Sequence, residues 1–293
     1  MKVAIFGRDF SNAYTKQVQD LLNTLNSEGI QTIVYEPFVQ VFKMHGITLH
    51  DSETFTDAKE LTKLGVETLV SIGGDGTILQ AATVVVGTSI AIFGVNTGRM
   101  GFLASISFDE INEAVQCLKE KNYAVENRNL LSLETSTQLF GEKNFALNDL
   151  TIARRDVSAM IKVEVFLNNE YLNTYWSDGL IVSTSTGSTA YSLSCGGPVV
   201  YPSSGNFLIT PIAPHNLNVR PFVVPDDSEL TLMVEGRHES YLVSLDSRTE
   251  IVDEKVVLNI KKHKHSVGII RLPSHSYLKT LRQKLNWGLD KRN

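Results

Sequence analysis

The residues best suited to chemistry in this chain of 293 residues are Ser71-Ile72-Gly73-Gly74-Asp75-Gly76-Thr77. Three glycines within four residues end the apolar run from Thr68 to Ile72 and permit positive φ. From Thr77 onward the composition suits a helix. A strand, a tight glycine turn and a helix N-terminus together let backbone N–H groups face an anion. Asp75 lies inside that turn. A carboxylate there repels bound phosphate unless it holds a metal or accepts the proton of an attacking hydroxyl. The stretch points to phosphoryl transfer more than to passive phosphate binding.

A second cluster runs from Ser183 to Ser192, with eight hydroxyl side chains and Gly187 among them. It reads either as a polar lining for ribose and phosphate oxygens or as a plain Ser/Thr-rich loop. Arg99 and Arg248 are candidates for a triphosphate, because a guanidinium clamps phosphate, or for surface salt bridges. His215 is either structural or nucleotide-facing. Lys261-Lys262-His263-Lys264-His265 reads as a solvated hairpin turn between two strands, and Cys117 as a core residue on a helix.

These residues need a scaffold, and the first 125 residues supply an alternating one. Lys2 to Gly7, Gln31 to Tyr35, Thr68 to Ile72 and Ser89 to Val95 read as strands. Thr15 to Glu28 carries Val18, Leu21, Leu22 and Leu25 at helical spacing. Ser107 to Lys121 is a helix opened by a Ser107–Glu110 capping box. Phe38 to Lys63 is open between helix, loop and lid. Such alternation implies a parallel sheet covered on both faces, with its site at the carboxyl ends of the strands.

Beyond Tyr123 the pattern becomes short strands. Candidates are Leu131 to Thr135, Ala146 to Ala153, Ile161 to Leu167 and Tyr171 to Trp176, with Asn168-Asn169 as a hairpin turn. Further candidates are Leu180 to Ser183, Phe207 to Thr210, Leu230 to Val234, Tyr241 to Leu245, Val256 to Ile260 and Val267 to Arg271. The expectation is an α/β domain over 1–125 and a mostly β domain over 126–271. The tail 272–293, helical from Ser276 to Leu285, packs back onto the first domain.

Composition sets the outer limits. With 42% apolar and 20% charged residues the chain is ordinary for a soluble globular protein, and no apolar run is long enough to span a bilayer. Two cysteines, Cys117 and Cys195, support neither a disulfide framework nor a zinc site, so a reducing, cytoplasmic compartment is expected. A net charge of −5 gives no electrostatic footprint for nucleic acid or an anionic membrane.

Taken together, the motifs resemble those of the NAD kinase family, and the resemblance covers most of the chain. Gly73-Gly74-Asp75-Gly76-Thr77 matches the family's glycine-rich motif, and Asn96-Thr97-Gly98-Arg99-Met100-Gly101-Phe102-Leu103 the loop after it. Asn148-Asp149 falls where the family has Asn-Glu. Asp178-Gly179 and Thr186-Gly187-Ser188-Thr189-Ala190-Tyr191 match a second conserved segment, and Pro211-Ile212-Ala213-Pro214-His215 resembles a third. The first motif alone is shared with diacylglycerol and sphingosine kinases.

The resemblance implies a Rossmann-like N-terminal domain, a β-rich C-terminal domain and a site in the cleft between them. It implies transfer of the ATP γ-phosphoryl to the 2′-hydroxyl of the adenosine ribose of NAD, with a divalent metal (Mg²⁺) arriving on ATP and no metal ligands assigned in the protein. Asp75 is then the general base or orienting group. Asn148 and Asp149 hold ribose hydroxyls at the nicotinamide end. Phe102, Thr189, Ala190, Tyr191 and Ser194 line the adenine and ribose pocket, and Gly74, Gly76, Thr77, Thr186 and Ala213 complete the nucleotide contacts. Asp178 meets a base or the carboxamide across a subunit contact, so a homo-oligomer, dimer or tetramer, is implied. Asp149 is one methylene shorter than the family's Glu. Ser185 replaces a Pro common in the family, a change expected to loosen its loop. A lipid kinase sharing the first motif, or a catalytically silent dinucleotide sensor, are the rival readings.

Overall fold

The computed structural model describes residues 1–50, 52–98, 101–156, 159–235, 240–253 and 256–288. The chain divides into two compact units: Met1–Asn127 with Val267–Asn293, and Arg128–Ser266.

The first unit alternates strands and helices. Its elements are β1 (Lys2–Gly7), α1 (Thr15–Ser27), β2 (Gln31–Tyr35), α2 (Glu36–Met44), β3 (Glu53–Phe55), α3 (Ala58–Lys63), β4 (Thr68–Ile72), α4 (Asp75–Val85), β5 (Ala91–Val95) and α5 (Ile111–Lys119). All the pairings are parallel, in the order β3-β2-β1-β4-β5. The order reverses direction between β1 and β4, and a ligand crevice in such sheets opens beside that point at the strands' carboxyl ends. β4 and β5 are buried at every position, as an apolar run covered on both faces requires. Val18, Leu21, Leu22 and Leu25 of α1 pack with Val3, Ile5 and Val34 in one core. Ser107 and Glu110 form the expected capping box ahead of α5.

The ambiguous stretch from Phe38 to Lys63 resolves into α2, β3 and α3. Pro37 sits in the first turn of α2, where its missing N–H costs nothing, and Phe38 and Phe42 face the core. Asp57 caps α3 by accepting from the N–H groups of Lys59 and Glu60. Outside the connection from α2 to β3, the described residues of this stretch are mostly helix and strand.

The second unit is almost entirely β. It begins in β6 (Ala124–Glu134) and continues through β7 (Phe145–Ala146), β8 (Asp149–Arg154), β9 (Ile161–Leu167), β10 (Glu170–Ser177) and β11 (Gly179–Thr184). The short α6 (Tyr191–Ser194) precedes β12 (Asn206–Ile212), β13 (Phe222–Pro225), β14 (Leu230–Glu235), β15 (Ser240–Leu245) and β16 (Arg248–Asp253). One sheet runs β13-β12-β11-β8-β15-β16, antiparallel throughout. Leu150, Ile152, Leu180 and Val182 from it share a core with Val163 and Val165 of β9 and Leu230 and Leu232 of β14. Asn168 and Asn169 both take positive φ and join β9 to β10, as a two-residue hairpin turn demands.

The return to the first unit is β17 (Leu258–Arg271), followed by α7 (Tyr277–Leu285). β17 corrects one expectation: Lys261 to His265 is the middle of a 14-residue strand, not a turn between two. Lys261 pairs with Glu134 and Lys262 with Asp226, so these charges stand along a strand instead of crowding a loop. Ser276 caps α7 by accepting from the Lys279 N–H.

Candidate active site

Each unit carries a group of the candidate side chains. In the first, Gly73 follows β4 with φ +152°, and a Cβ there would stand 2.1 Å from Thr77 Oγ1. Only glycine lets the chain turn that closely over the helix start. Gly74 is the N-cap of α4 and Asp75 its first helical residue, so the acid lies one step further along than the turn itself. A carboxylate in the first turn complements the helix dipole. Gly74 and Gly76 have open space where a side chain would stand. The Thr77 N–H already donates to the Gly74 carbonyl at 3.0 Å, whereas the N–H groups of Gly74, Asp75 and Gly76 have no acceptor among the described residues, so this end offers those donors on an open face.

The Asp75 carboxylate is held firmly. Oδ2 accepts from the Phe102 N–H at 2.8 Å; Oδ1 accepts from Leu103 at 3.0 Å and Ala104 at 2.8 Å. A carboxylate has about four acceptor positions, so among the described residues one remains open on Oδ2. Gly101 makes this approach possible, because a Cβ there would lie 1.8 Å from Oδ1. Asn96 closes the same loop: its Nδ2 donates to the Ala104 carbonyl at 3.0 Å, and its Oδ1 accepts from the Gly98 N–H at 2.6 Å. Arg99, the first triphosphate candidate, lies outside the described residues.

The far side of this loop rests on Arg271, whose side chain is only 7% exposed. Its Nη2 donates to the Phe102 carbonyl at 2.8 Å, and its Nη1 to Ser105 Oγ at 2.8 Å and the Leu103 carbonyl at 3.4 Å. Nε donates to Glu126 at 3.1 Å. His275 Nε2 meets Glu110 Oε1 at 2.9 Å. Burial would raise the Glu110 carboxyl, but hydrogen bonds from His275 and Ser107 outweigh it and hold the carboxyl below the usual range. The Phe102 ring lies 6.3 Å from the Tyr277 ring, with Lys284 Nζ 6.0 Å from its centroid.

In the second unit, Asp246 organises the Asn148-Asp149 pair. It sits at positive φ in the turn between β15 and β16 and turns its carboxylate inward. Oδ2 accepts from the Leu147 N–H at 2.9 Å; Oδ1 accepts from Asn148 at 2.8 Å and Asp149 at 3.2 Å. Those three N–H groups therefore leave the strand ladder. This explains why the run from Ala146 to Ala153 splits into β7 and β8 instead of forming one strand. The Asn148 carboxamide makes no hydrogen bond among the described residues, which leaves it available to a ligand. Asp149 is buried, and its Oδ1 accepts from Thr151 Oγ1 at 3.1 Å. Burial, reinforced by repulsion from Asp246, pushes the Asp149 carboxyl up to about 7. Burial likewise raises Asp246, although its three N–H bonds oppose the change.

The hydroxyl cluster is seated directly on this pair. A Cβ at Gly187 would lie 2.1 Å from the Asn148 carbonyl, and that carbonyl accepts from the Thr184 N–H at 2.8 Å. Most of the hydroxyls tie the loop together instead of lining a pocket. Thr184 Oγ1 donates to the Leu147 carbonyl, Ser188 Oγ exchanges bonds with Val200, and Ser192 Oγ meets Thr210 Oγ1 at 2.8 Å. Of the two readings open for this stretch, the loop reading accounts for these hydroxyls. Ser185 likewise does not loosen the loop: its Oγ accepts from the Asn206 N–H at 3.0 Å and donates to the Asn206 carbonyl at 3.2 Å. A hydroxyl thus ties this point to β12, where a Pro would offer no such side-chain bond.

Tyr191 is exposed on α6, with its hydroxyl bonded to Cys195; burial raises that hydroxyl, and Asp149 and Asp178 add repulsion. Thr186, Thr189, Ala190 and Ser194 lie on the same turn and helix. Asp178 pairs with Arg154 Nη2 at 3.0 Å, and its N–H donates to the Ile212 carbonyl next to Ala213, which takes φ +45°. Arg248, the second triphosphate candidate, spends its guanidinium within the protein. Its guanidinium donates to the carbonyls of Lys143 and Phe145 and lies over the rings of Phe140 and Phe145.

Two residues that shape these groups, Asp246 and Arg271, were invisible as site residues in the sequence. The signals for them are weak: an Asp in a short hairpin turn, and an Arg ending the apolar run Val267 to Ile270.

Comparison with known proteins identifies the family. The family model of the ATP-NAD kinase N-terminal domain matches residues 3–123, and that of the C-terminal domain matches residues 147–272. The chain belongs to the NAD kinase family. A relative from Flavobacterium johnsoniae, named NAD kinase, is 46% identical over 295 residues, covering 100% of both chains. In fold the chain is similar to the yeast NADH kinase complexed with NADH, with TM-score 0.84 and 20% identity over 99% of this chain and 89% of that one. It is also similar to an NAD kinase from Archaeoglobus fulgidus in complex with ATP, with TM-score 0.73 and 24% identity over 98% and 99% of the two chains. Membership covers both units, so the α/β first unit and the β-rich second unit are those of this family.

Proposed function

We propose that the chain transfers the γ-phosphoryl group of ATP to the 2′-hydroxyl of the adenosine ribose of NAD, forming NADP. The observation that carries the reading is the Asp75 carboxylate at an open helix N-terminus, with three acceptor positions filled by backbone N–H groups and one left on Oδ2. A ribose hydroxyl is a poor nucleophile at neutral pH. A fixed carboxylate oxygen that accepts its proton and aims its lone pair supplies much of what in-line transfer needs. Transfer is direct, with no phosphoenzyme.

In this reading Gly74, Gly76 and Thr77 lie at the phosphates, with the N–H groups of Gly74 and Gly76 as the donors and that of Thr77 given to the Gly74 carbonyl. Asn148 and Asp149 hold the ribose at the nicotinamide end. Phe102, Thr186, Thr189, Ala190, Tyr191, Ser194 and Ala213 surround the adenosine, and Asp178 meets a base or the carboxamide. Among the described residues no three His, Cys, Asp or Glu side chains converge on a metal-sized site. A Mg²⁺ ion arriving on the triphosphate would keep phosphate and water ligands. The ion, when bound, neutralises charge on the transferring group. The two free cysteines suit a reducing compartment, the cytoplasm. No helix among the described residues is long and apolar enough to cross a membrane. Exposed Trp176 and Leu217 in the second unit suit assembly into a homo-oligomer, a dimer or tetramer, which light scattering would test.

The decisive assay is NADP formation from purified protein, NAD, ATP and Mg²⁺, beside Asp75→Asn. The reading expects NADP from the parent and a loss of about 100-fold or more in the variant. No NADP from the parent refutes it. Equal rates in both demote Asp75 from the reaction.

A further inference from the structure

We propose that Arg271 is a positioning residue for the phosphoryl transfer, acting on Asp75 through the two peptide groups that join Phe102, Leu103 and Ala104. The proposal rests on the role given to Asp75 above. The peptide between Phe102 and Leu103 gives its N–H to Asp75 Oδ1 at 3.0 Å and its carbonyl to Arg271 Nη2 at 2.8 Å. The peptide between Leu103 and Ala104 repeats this, with its N–H on Oδ1 at 2.8 Å and its carbonyl at 3.4 Å from Nη1. In a trans peptide the N–H and C=O point in opposite directions. Each amide therefore lies between carboxylate and guanidinium with its dipole aligned from one to the other. Bonds at the two ends of an amide polarise and so strengthen each other.

The guanidinium is itself fixed. Ser105 Oγ accepts from Nη1 and Glu126 from Nε, which leaves the fork a single orientation. A planar fork can engage two successive carbonyls and a hydroxyl at once, and a lysine ammonium has no matching geometry. Oδ1 takes both relayed bonds, so a tilt of the loop rotates the carboxylate and swings the open position on Oδ2 away from the reacting hydroxyl. Misplacement of about 1 Å in such a group costs roughly 100-fold in rate.

The test compares the parent, Arg271→Gln, Arg271→Lys, Asp75→Asn and the Asp75→Asn/Arg271→Gln double variant by kcat and KM, with amide hydrogen exchange read on the Phe102–Ala104 segment. Arg271→Gln is expected to lower kcat about 10- to 100-fold with KM for ATP within about 2-fold, and Arg271→Lys to restore little. In the Asp75→Asn background the same change should cost less than about 2-fold, because the group it acts through is gone. Exchange at 102–104 should quicken in Arg271→Gln. An equal fold loss in both backgrounds overturns the proposal, as does an unchanged kcat or unchanged amide protection in folded Arg271→Gln. Should that variant not fold, Ser105→Ala removes one guanidinium contact and is expected to show the same non-additivity at smaller size; additivity there overturns the proposal too. A parent that forms no NADP refutes the functional reading instead, and the exchange measurement still decides whether Arg271 holds the loop.

Discussion

Replacing Asp149 by Asn should stabilise the protein at alkaline pH and not at acid pH. The Asp149 carboxyl titrates near 7 in the folded chain, raised chiefly by burial and further by Asp246, against 3.8 as its ordinary value. The direction follows from proton counting. Below 3.8 both folded and unfolded chains hold the proton and the group is neutral toward folding. As pH rises toward 7 the unfolded chain loses the proton while the folded chain keeps it, so stability falls; above 7 the full penalty is in place. The interval from 3.8 to about 7 corresponds to roughly 4 kcal/mol. Asn keeps the shape without the charge, but its amide must find new partners beside Thr151 and Asp246, so we expect a net gain of about 2–4 kcal/mol at pH 8. Calorimetry from pH 4 to pH 8.5 should show the variant melting about 3–7 °C above the parent at pH 8, with the difference closing near pH 4. NAD affinity should fall in the variant at every pH, and the inflection near pH 7 in the parent's binding profile should vanish. A melting difference that stays constant across this range, or a variant less stable than the parent at pH 8, would refute the assignment of a strained carboxylate to Asp149.

Other outcomes are equally direct. Gly101→Ala pushes a methyl group into Asp75 Oδ1 and should lower activity more than 10-fold while costing about 1–3 kcal/mol of stability, checked by NADP formation and melting. Arg248→Lys should leave KM for ATP unchanged, because its guanidinium serves the carbonyls of Lys143 and Phe145, and should lower stability by about 1–3 kcal/mol in denaturant titration. Ser185→Ala strips the Asn206 N–H of its acceptor and should cost about 1–2 kcal/mol, read as a lower denaturation midpoint.

Period and punctuation made much of this fold legible. The 3.6-residue spacing of Val18, Leu21, Leu22 and Leu25, the Ser107–Glu110 box and the Asn168-Asn169 turn are local signals, and each appears where local chemistry places it. Signals that depend on partners elsewhere were not legible. Lys261 to His265 looks like a turn because its charges suit one, yet Glu134 and Asp226 neutralise two of them along a strand. The hydroxyls from Ser183 to Ser192 look like a binding surface, although Thr184, Ser185, Ser188 and Ser192 are spent on the loop's own backbone and neighbours. Asp75 announces itself by its glycines. Arg271 and Asp246 do not, because each acts on backbone atoms, and backbone atoms leave no mark on residue type.

The contact between Phe102 and Arg271 spans 169 residues of chain. At synthesis rates of about 5–20 residues per second, a ribosome takes roughly 10–30 s to cover that distance. Throughout that interval the helix bearing Asp75 and the glycine turn before it have already been made, while the guanidinium that clamps the adjacent loop has not. Every residue of the second unit is polymerised in between. The nascent chain is thus assembled in an order that withholds the last brace of the reacting group until the whole second unit has been translated.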